Sequence, residues 1–281
     1  MAASPTLRRR RLARQLLTLR AARGMTVDAV GKEAKRRAPN RPWSAAKITR
    51  IENRKLQHLP ETDLKVLLDI YRVEDDDERA SYIQLARAAS QTGWWVGYSD
   101  VLGRGAYVDL ETEAASLSSF EALVIPGLLQ TPGYIRAVVL GQGVTDEHVI
   151  SRRIEARMMR RQVLERADAP RFASLIDESA IRKIPESVRD EQLKYLIAAT
   201  ERGLEVRVVP DERGPHSAVH GAFVVMRFAN DPALVYLEEV RSELFLEEDD
   251  EIDHYQRIYD ETVEQALTVS ESVALLNRYR S

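Results

Sequence analysis

Pro42-Trp43-Ser44-Ala45-Ala46-Lys47-Ile48-Thr49-Arg50-Ile51-Glu52-Asn53-Arg54-Lys55 decides how the N-terminal part of this chain is read. A helix opened by the Ser44 hydroxyl puts Ile48 and Ile51 on one face, with Lys55 closing that stripe. That face is expected to be buried. At about 100° per residue, Ala46, Thr49, Arg50 and Asn53 point the other way, Lys47 and Arg54 lie on one flank, and Ala45 is exposed at the helix start. An element that enters a DNA major groove needs this distribution. Small residues at its front allow close approach, an Arg can fork onto a guanine edge, and basic side chains behind can grip phosphates. An ordinary amphipathic surface helix shows the same period, so the flanking sequence has to decide.

Upstream, Leu12, Leu16 and Leu19 form a basic, apolar-periodic run that stops at Gly24, the residue best suited to a left-handed helix end. Thr26 can cap a second helix carrying Val27, Val30 and Ala34. Downstream, Pro60 opens a helix with Leu64, Leu67, Leu68 and Tyr71 on one side. The acidic run 74–78 then starts a helix from Arg79 to Gln91 with Tyr82, Leu85, Ala86 and Ala89 as its apolar side. Four to five short helices result. Here the chain resembles the helix-turn-helix domain of the xenobiotic-response-element (XRE) or phage-repressor type, on Leu19-Arg-Ala-Ala-Arg-Gly-Met-Thr26, Ser44 to Arg50 and Ile51-Glu-Asn53. The resemblance implies that Ala45, Ala46, Thr49 and Arg50 face DNA bases and that Arg20 and Glu52 form an ion pair behind the recognition helix. Two departures stand out. Arg54 occupies the place of a glycine usual in the family, and Lys35 to Trp43 is longer than the usual turn, with Pro39, Pro42 and the four cations Lys35, Arg36, Arg37 and Arg41. We read this insertion as a loop beside the DNA backbone, with phosphate contacts from Ser44, Lys47, Asn53, Arg54, Lys55 and Arg41.

Charge along the chain supports the same assignment. Residues 1–58 carry 16 Lys plus Arg against 3 Asp plus Glu, a net +13, whereas the remainder carries 25 against 41, a net −16. A polycationic segment attracts phosphates, with binding that weakens steeply with salt, and an acidic remainder stays off the DNA. At 281 residues there is room for two domains. The chain has no cysteine, which excludes disulfides, thiolate catalysis and Cys-based zinc sites. No apolar secretory core or membrane-length run is present, so a cytoplasmic, nucleoid-associated protein with no membrane partner is expected.

The pattern predicts an N-terminal all-α domain over 1–91, an aromatic and Gly-rich linker over 92–106, and a mixed α+β domain with a partly antiparallel sheet over 107–281. Trp94, Trp95 and Tyr98 are expected to pack the two domains together. Tyr107 to Leu123 reads as a helix, Asp146 to Ala167 as a longer one and Ser187 to Arg202 as a third. Strands are expected at 171–177, 204–210, 222–228, 233–237 and 243–246, and two closing helices at 249–267 and 270–280. Trp94-Trp95 with Tyr98-Ser-Asp-Val-Leu102, Leu110-Glu-Thr-Glu-Ala114, Val124-Ile-Pro-Gly-Leu-Leu-Gln-Thr-Pro132 with Tyr134, Arg153-Ile-Glu-Ala-Arg157 with Arg161-Gln162, and Gly221-Ala-Phe223 resemble the C-terminal domain of antitoxin-like XRE regulators of actinomycete bacteria, the WhiJ-like group. That resemblance implies a DNA-binding regulator whose C-terminal domain binds a small partner protein encoded nearby, and it implies no reaction.

A search for chemistry yields little. His216 and His220 are four apart in an apparent loop with no third ligand in view, so no metal is expected. His58, His148 and His254 are isolated. Gly141-Gln-Gly143 lacks the strand and the third glycine of a nucleotide fingerprint. The arginines 152, 153, 157, 160, 161 and 166 are interleaved with Glu155 and Glu165, and we read them as internally paired or solvated rather than as a second nucleic-acid surface. Three readings follow. The first is a sequence-specific regulator of double-stranded DNA, a homodimer because one recognition helix covers only a few base pairs. The second is an antitoxin-like protein whose main partner is a small protein, and the third is an enzyme or small-molecule sensor. No cofactor and no catalytic residue is expected.

Overall fold

The computed structural model describes residues 5–53, 58–90, 94–102, 105–238 and 243–280. Its contacts divide the chain into two units, 1–96 and 97–281.

Among the described residues the first unit has five α-helices. They are α1 (Pro5–Ala22), α2 (Val27–Arg37), α3 (Ala45–Glu52), α4 (Glu61–Ile70) and α5 (Asp76–Ala89). Each start has a local cause. The Thr26 hydroxyl accepts the Ala29 N–H at the head of α2, Ser44 accepts from Lys47 at the head of α3, and Asp75 accepts from Glu78 at the head of α5. The turn between α1 and α2 contains Gly24 at φ +61°, left-handed backbone that glycine adopts without a Cβ penalty. Leu16, Val30, Ala34, Ile48, Leu64, Leu67, Leu68 and Tyr71 close the core. Two boundaries differ from the sequence reading. α2 runs through Lys35, Arg36 and Arg37, so the inserted turn is only 38–44, and α5 begins at Asp76 rather than Arg79. Asp76, Asp77 and Glu78 form the helix's first turn, where they meet the positive end of its dipole, and Asp75 caps it.

The second unit begins with the short helix α6 (Ser99–Leu102), inside the stretch read as linker, and α7 (Ala106–Glu113). Arg152 donates to Asp100 Oδ1 at 2.8 Å and lies over the Tyr98 ring, which fastens α6 to α9 (Glu147–Arg161). The helix expected from Tyr107 to Leu123 is corrected: it stops at Glu113, and Ser116–Glu121 is strand β1. The other elements are α8 (Pro132–Gly141), β2 (Arg171–Asp177), α10 (Glu178–Arg182), α11 (Glu186–Glu201), β3 (Glu205–Val209), β4 (Phe223–Arg227), β5 (Leu234–Glu238), β6 (Glu243–Leu246), α12 (Asp249–Gln265) and α13 (Val269–Arg280). The sheet order is β3-β2-β1-β4-β5-β6. β1, β2 and β3 run parallel, β4 pairs antiparallel with β1, β5 with β4 and β6 with β5. The fold is therefore an all-α helix-turn-helix unit followed by an α+β unit with a mixed sheet.

Both faces of the sheet are covered. On one, Phe120, Leu175, Val225 and Val235 meet Ile252 and Tyr259 of α12. On the other, Leu117, Ser119 and Glu121 of β1 line a cavity of ≈ 20 Å³ against Tyr107 of α7 and Arg160 of α9. The arginines of α9, and Arg166 just beyond it, are spent inside the unit. Arg153 donates to Gln142, Arg157 to Gln130, Arg160 to Glu111 and Arg166 to the Thr112 carbonyl. The loop 124–132 is held as tightly, since Gln130 donates to the Ile125 carbonyl at 2.6 Å and Gln192 to the Leu129 carbonyl at 2.7 Å.

Burial, reinforced by Glu238, pushes the Glu121 carboxyl up to about 8. The folded protein thus keeps a proton that an unfolded glutamate releases near 4.5, and stability falls as pH rises between those values. Glu121→Gln is expected to flatten that slope and to stabilise the protein at pH 8 by roughly 1–3 kcal/mol. Urea midpoints of both proteins at pH 5 and pH 8 test this, and equal slopes would reject it.

Candidate nucleic-acid interface

Ile48 and Ile51, at 1% and 6% exposure, fix which side of α3 faces inward. The opposite side follows from helical geometry: Ser44, Ala46, Thr49, Arg50 and Asn53 are exposed and Ala45 is half-buried. The Thr49 hydroxyl donates to the Ala45 carbonyl at 3.1 Å, which satisfies its donor within the helix and leaves its methyl outward. Arg50 is exposed and makes no ion pair among the described residues. Asn53 caps the C-terminal end of α3. Arg54 and Lys55, expected at phosphates, lie outside the described residues.

Two contacts orient α3 from behind. Arg20 Nε and Nη2 reach the two Glu52 oxygens at 2.6 and 2.9 Å, and Nη1 donates to the Met25 carbonyl at 2.7 Å. One guanidinium therefore ties the end of α1, the turn before α2 and the end of α3. The hydrogen bond to Glu52 holds Arg20 above its ordinary basicity. The second contact is steric. A Cβ on Gly31 would stand 2.8 Å from the Ala45 nitrogen and 2.8 Å from the Ser44 carbonyl carbon, so α2 meets the start of α3 backbone to backbone. The sequence reading missed Gly31. Its signal was available, because a glycine inside a helix costs about 1 kcal/mol relative to alanine and so needs a packing reason.

Two of the residues expected at phosphates are engaged inside the unit. Lys47 is 8% exposed, its Nζ is 2.6 Å from Asp63 Oδ2, and it sits 4.1 Å above the Trp43 ring. Arg41 Nε lies 2.7 Å from Asp63 Oδ1, and its Nη1 donates to the Thr62 hydroxyl. Both cations reach one buried carboxylate on α4. The cations that end α2 are also engaged: Lys35 donates to the Pro39 carbonyl, and Arg36 and Arg37 pair with Glu33. Those exposed pairs are weak and can be exchanged for phosphates. Together, Arg36 and Arg37 hold the Glu33 carboxyl down to about 2.

His216, considered above with His220, is buried, and its Nε2 lies 3.2 Å from Asp177 Oδ2. The pair ties the β3–β4 connection to the end of β2. No cluster of three or more metal-ligating side chains occurs among the described residues, and among them no helix is long and apolar enough to cross a membrane.

Comparison with known proteins agrees with this division. Residues 11–81 match the family described as Helix-turn-helix domain, and residues 104–278 match the one described as Domain of unknown function (DUF5753). No curated protein and no solved structure matched the chain. The N-terminal unit is thus a helix-turn-helix domain of a DNA-binding regulator, and since the second match spans well over half the chain, the protein belongs to the family described as Domain of unknown function (DUF5753).

Proposed function

We propose that the protein is a sequence-specific regulator of XRE type that reads the major groove with α3. The observation that carries this reading is the outward row Ala46, Thr49 and Arg50, exposed on a helix whose opposite face is locked into the core. Arg50 forks onto a guanine edge, and the methyl groups of Ala45, Ala46 and Thr49 favour thymine contacts. Phosphate contacts come from Ser44 at the helix start and from Asn53, Arg54 and Lys55 at its end. A homodimer would place two such helices about 34 Å apart in successive major-groove turns. Selection of bound fragments from genomic DNA, repeated with Arg50→Ala, tests the reading. Recovery of one roughly palindromic motif is expected, with the variant losing about 1–3 kcal/mol of discrimination at one or two base pairs. Equal losses on motif and random DNA would place Arg50 away from the bases.

A second role accompanies the first in this proposal. With the α9 arginines committed to internal partners and an acidic surplus after residue 58, the second unit suits a small basic protein better than DNA. It acts as an antitoxin-like, non-enzymatic binding module, and DNA binding then serves autoregulation.

A further inference from the structure

Asp63 lies on the first turn of α4, outside the surface assigned to DNA, and is 2% exposed. It nevertheless touches the two elements that define that surface. Lys47 belongs to α3 itself, on the side facing α4, and Arg41 belongs to the turn that delivers the chain to the Ser44 cap. Trp43, between them in sequence, is 7% exposed and forms the floor under the Lys47 ammonium. One carboxylate therefore sets both the entry of the chain into α3 and the rotation of α3 about its axis. A neutral side chain of the same shape would leave the Lys47 ammonium buried without a counter-charge, which is unfavourable enough to drive it outward.

We propose that Asp63 is a positioning residue for sequence reading, and that it holds Arg41 and Lys47 back from the DNA backbone so that α3 is placed by its own core rather than by phosphate attraction. The proposal rests on α3 being the reading helix. It gives Asp63 an unusual signature, because removing an acidic group that restrains two cations should raise sequence-independent binding while lowering discrimination. Loss of fold would lower both.

The experiment measures binding of wild type, Asp63→Asn and Arg41→Gln to the selected motif and to random duplex over a range of salt. For Asp63→Asn, the preference for the motif is expected to fall about tenfold or more, the scale of one base contact. Affinity for random duplex is expected to hold or rise, and the salt slope to steepen by about one per released cation. Arg41→Gln, at a side chain 35% exposed, is expected to fold normally, and on this proposal it leaves the salt slope unchanged because Arg41 is held back from the phosphates. A slope reduced by about one in Arg41→Gln would show Arg41 at a phosphate and overturn the proposal. So would an Asp63→Asn protein with unaltered preference and slope, or one whose motif and random affinities fall in parallel. A wild type that selects no motif would fail the reading of α3 itself, which is a separate outcome.

Discussion

Arg160→Met is expected to destabilise the second unit by about 3–5 kcal/mol, the cost of leaving one half of a buried ion pair alone. Arg160 Nη2 lies 2.8 Å from Glu111 Oε2, and the Glu111 side chain is 1% exposed. Burial alone would make the guanidinium easier to deprotonate, but Glu111 more than offsets this and holds Arg160 above its ordinary basicity. The guanidinium also lies over the Tyr107 ring and within 4 Å of where a Gly127 Cβ would be. Its loss therefore opens a void at the meeting of α7, α9 and the 124–132 loop and strands a carboxylate there. Denaturant midpoints of the full chain measure the effect. Lys194→Met is the comparison, since Lys194 and Asp190 are 59% and 57% exposed and water screens such a pair. Equal midpoint shifts in the two variants would mean that Glu111 finds water or another donor when Arg160 is removed.

Gly31→Ala is expected to weaken the first unit and to impair its reading of DNA at the same time. Helix propensity alone predicts the opposite, a gain of about 1 kcal/mol in α2. The added methyl, however, meets the Ala45 nitrogen and the Ser44 carbonyl carbon at 2.8 Å, and neither can rotate away as a side-chain end would. Overpacking of this kind costs about 1–3 kcal/mol. Relief requires α3 to move from α2, and Ser44 and Ala45 are the residues that start α3, the helix proposed to read DNA. Motif affinity is expected to fall by about tenfold or more with little change on random duplex. A higher thermal midpoint together with unchanged motif affinity would show that the two helices have room to part.

The helix α3 and its two sides were legible because a three-residue spacing of isoleucines divides a short helix into an inner and an outer side. Charge was less informative. Arg41 and Lys47 look like phosphate contacts in a polycationic segment, and their partner Asp63 sits in Glu-Thr-Asp at a helix start, where acids are ordinary dipole partners. Only the folded distance shows that one carboxylate collects both. β1 was hidden for another reason. Leu110, Ala114, Leu117 and Phe120 are spaced by three and four, which satisfies a helical period across the junction of α7 and β1. A central strand covered on both faces also lacks the polar alternation that would have betrayed it, and Ser119 is buried beside Ser174, its hydroxyl donating at 2.8 Å.

That central strand has a consequence for the order of synthesis. β1 leaves the ribosome early in the second unit, but its neighbours are residues 171–176 on one side and 223–227 on the other. Until about residue 227 has emerged, Leu117 and Phe120 have no complete sheet to enter, and long-range pairings of this kind form slowly, in milliseconds to seconds. The helices of the first unit wait for no such sheet, and helical units of this size fold in microseconds to milliseconds. With synthesis proceeding at about 5–20 residues per second, a nascent chain carries a finished helix-turn-helix for several seconds before its acidic companion exists. The basic segment is then without the counter-charge of the mature protein, and a chain truncated before β4 would keep it in that state.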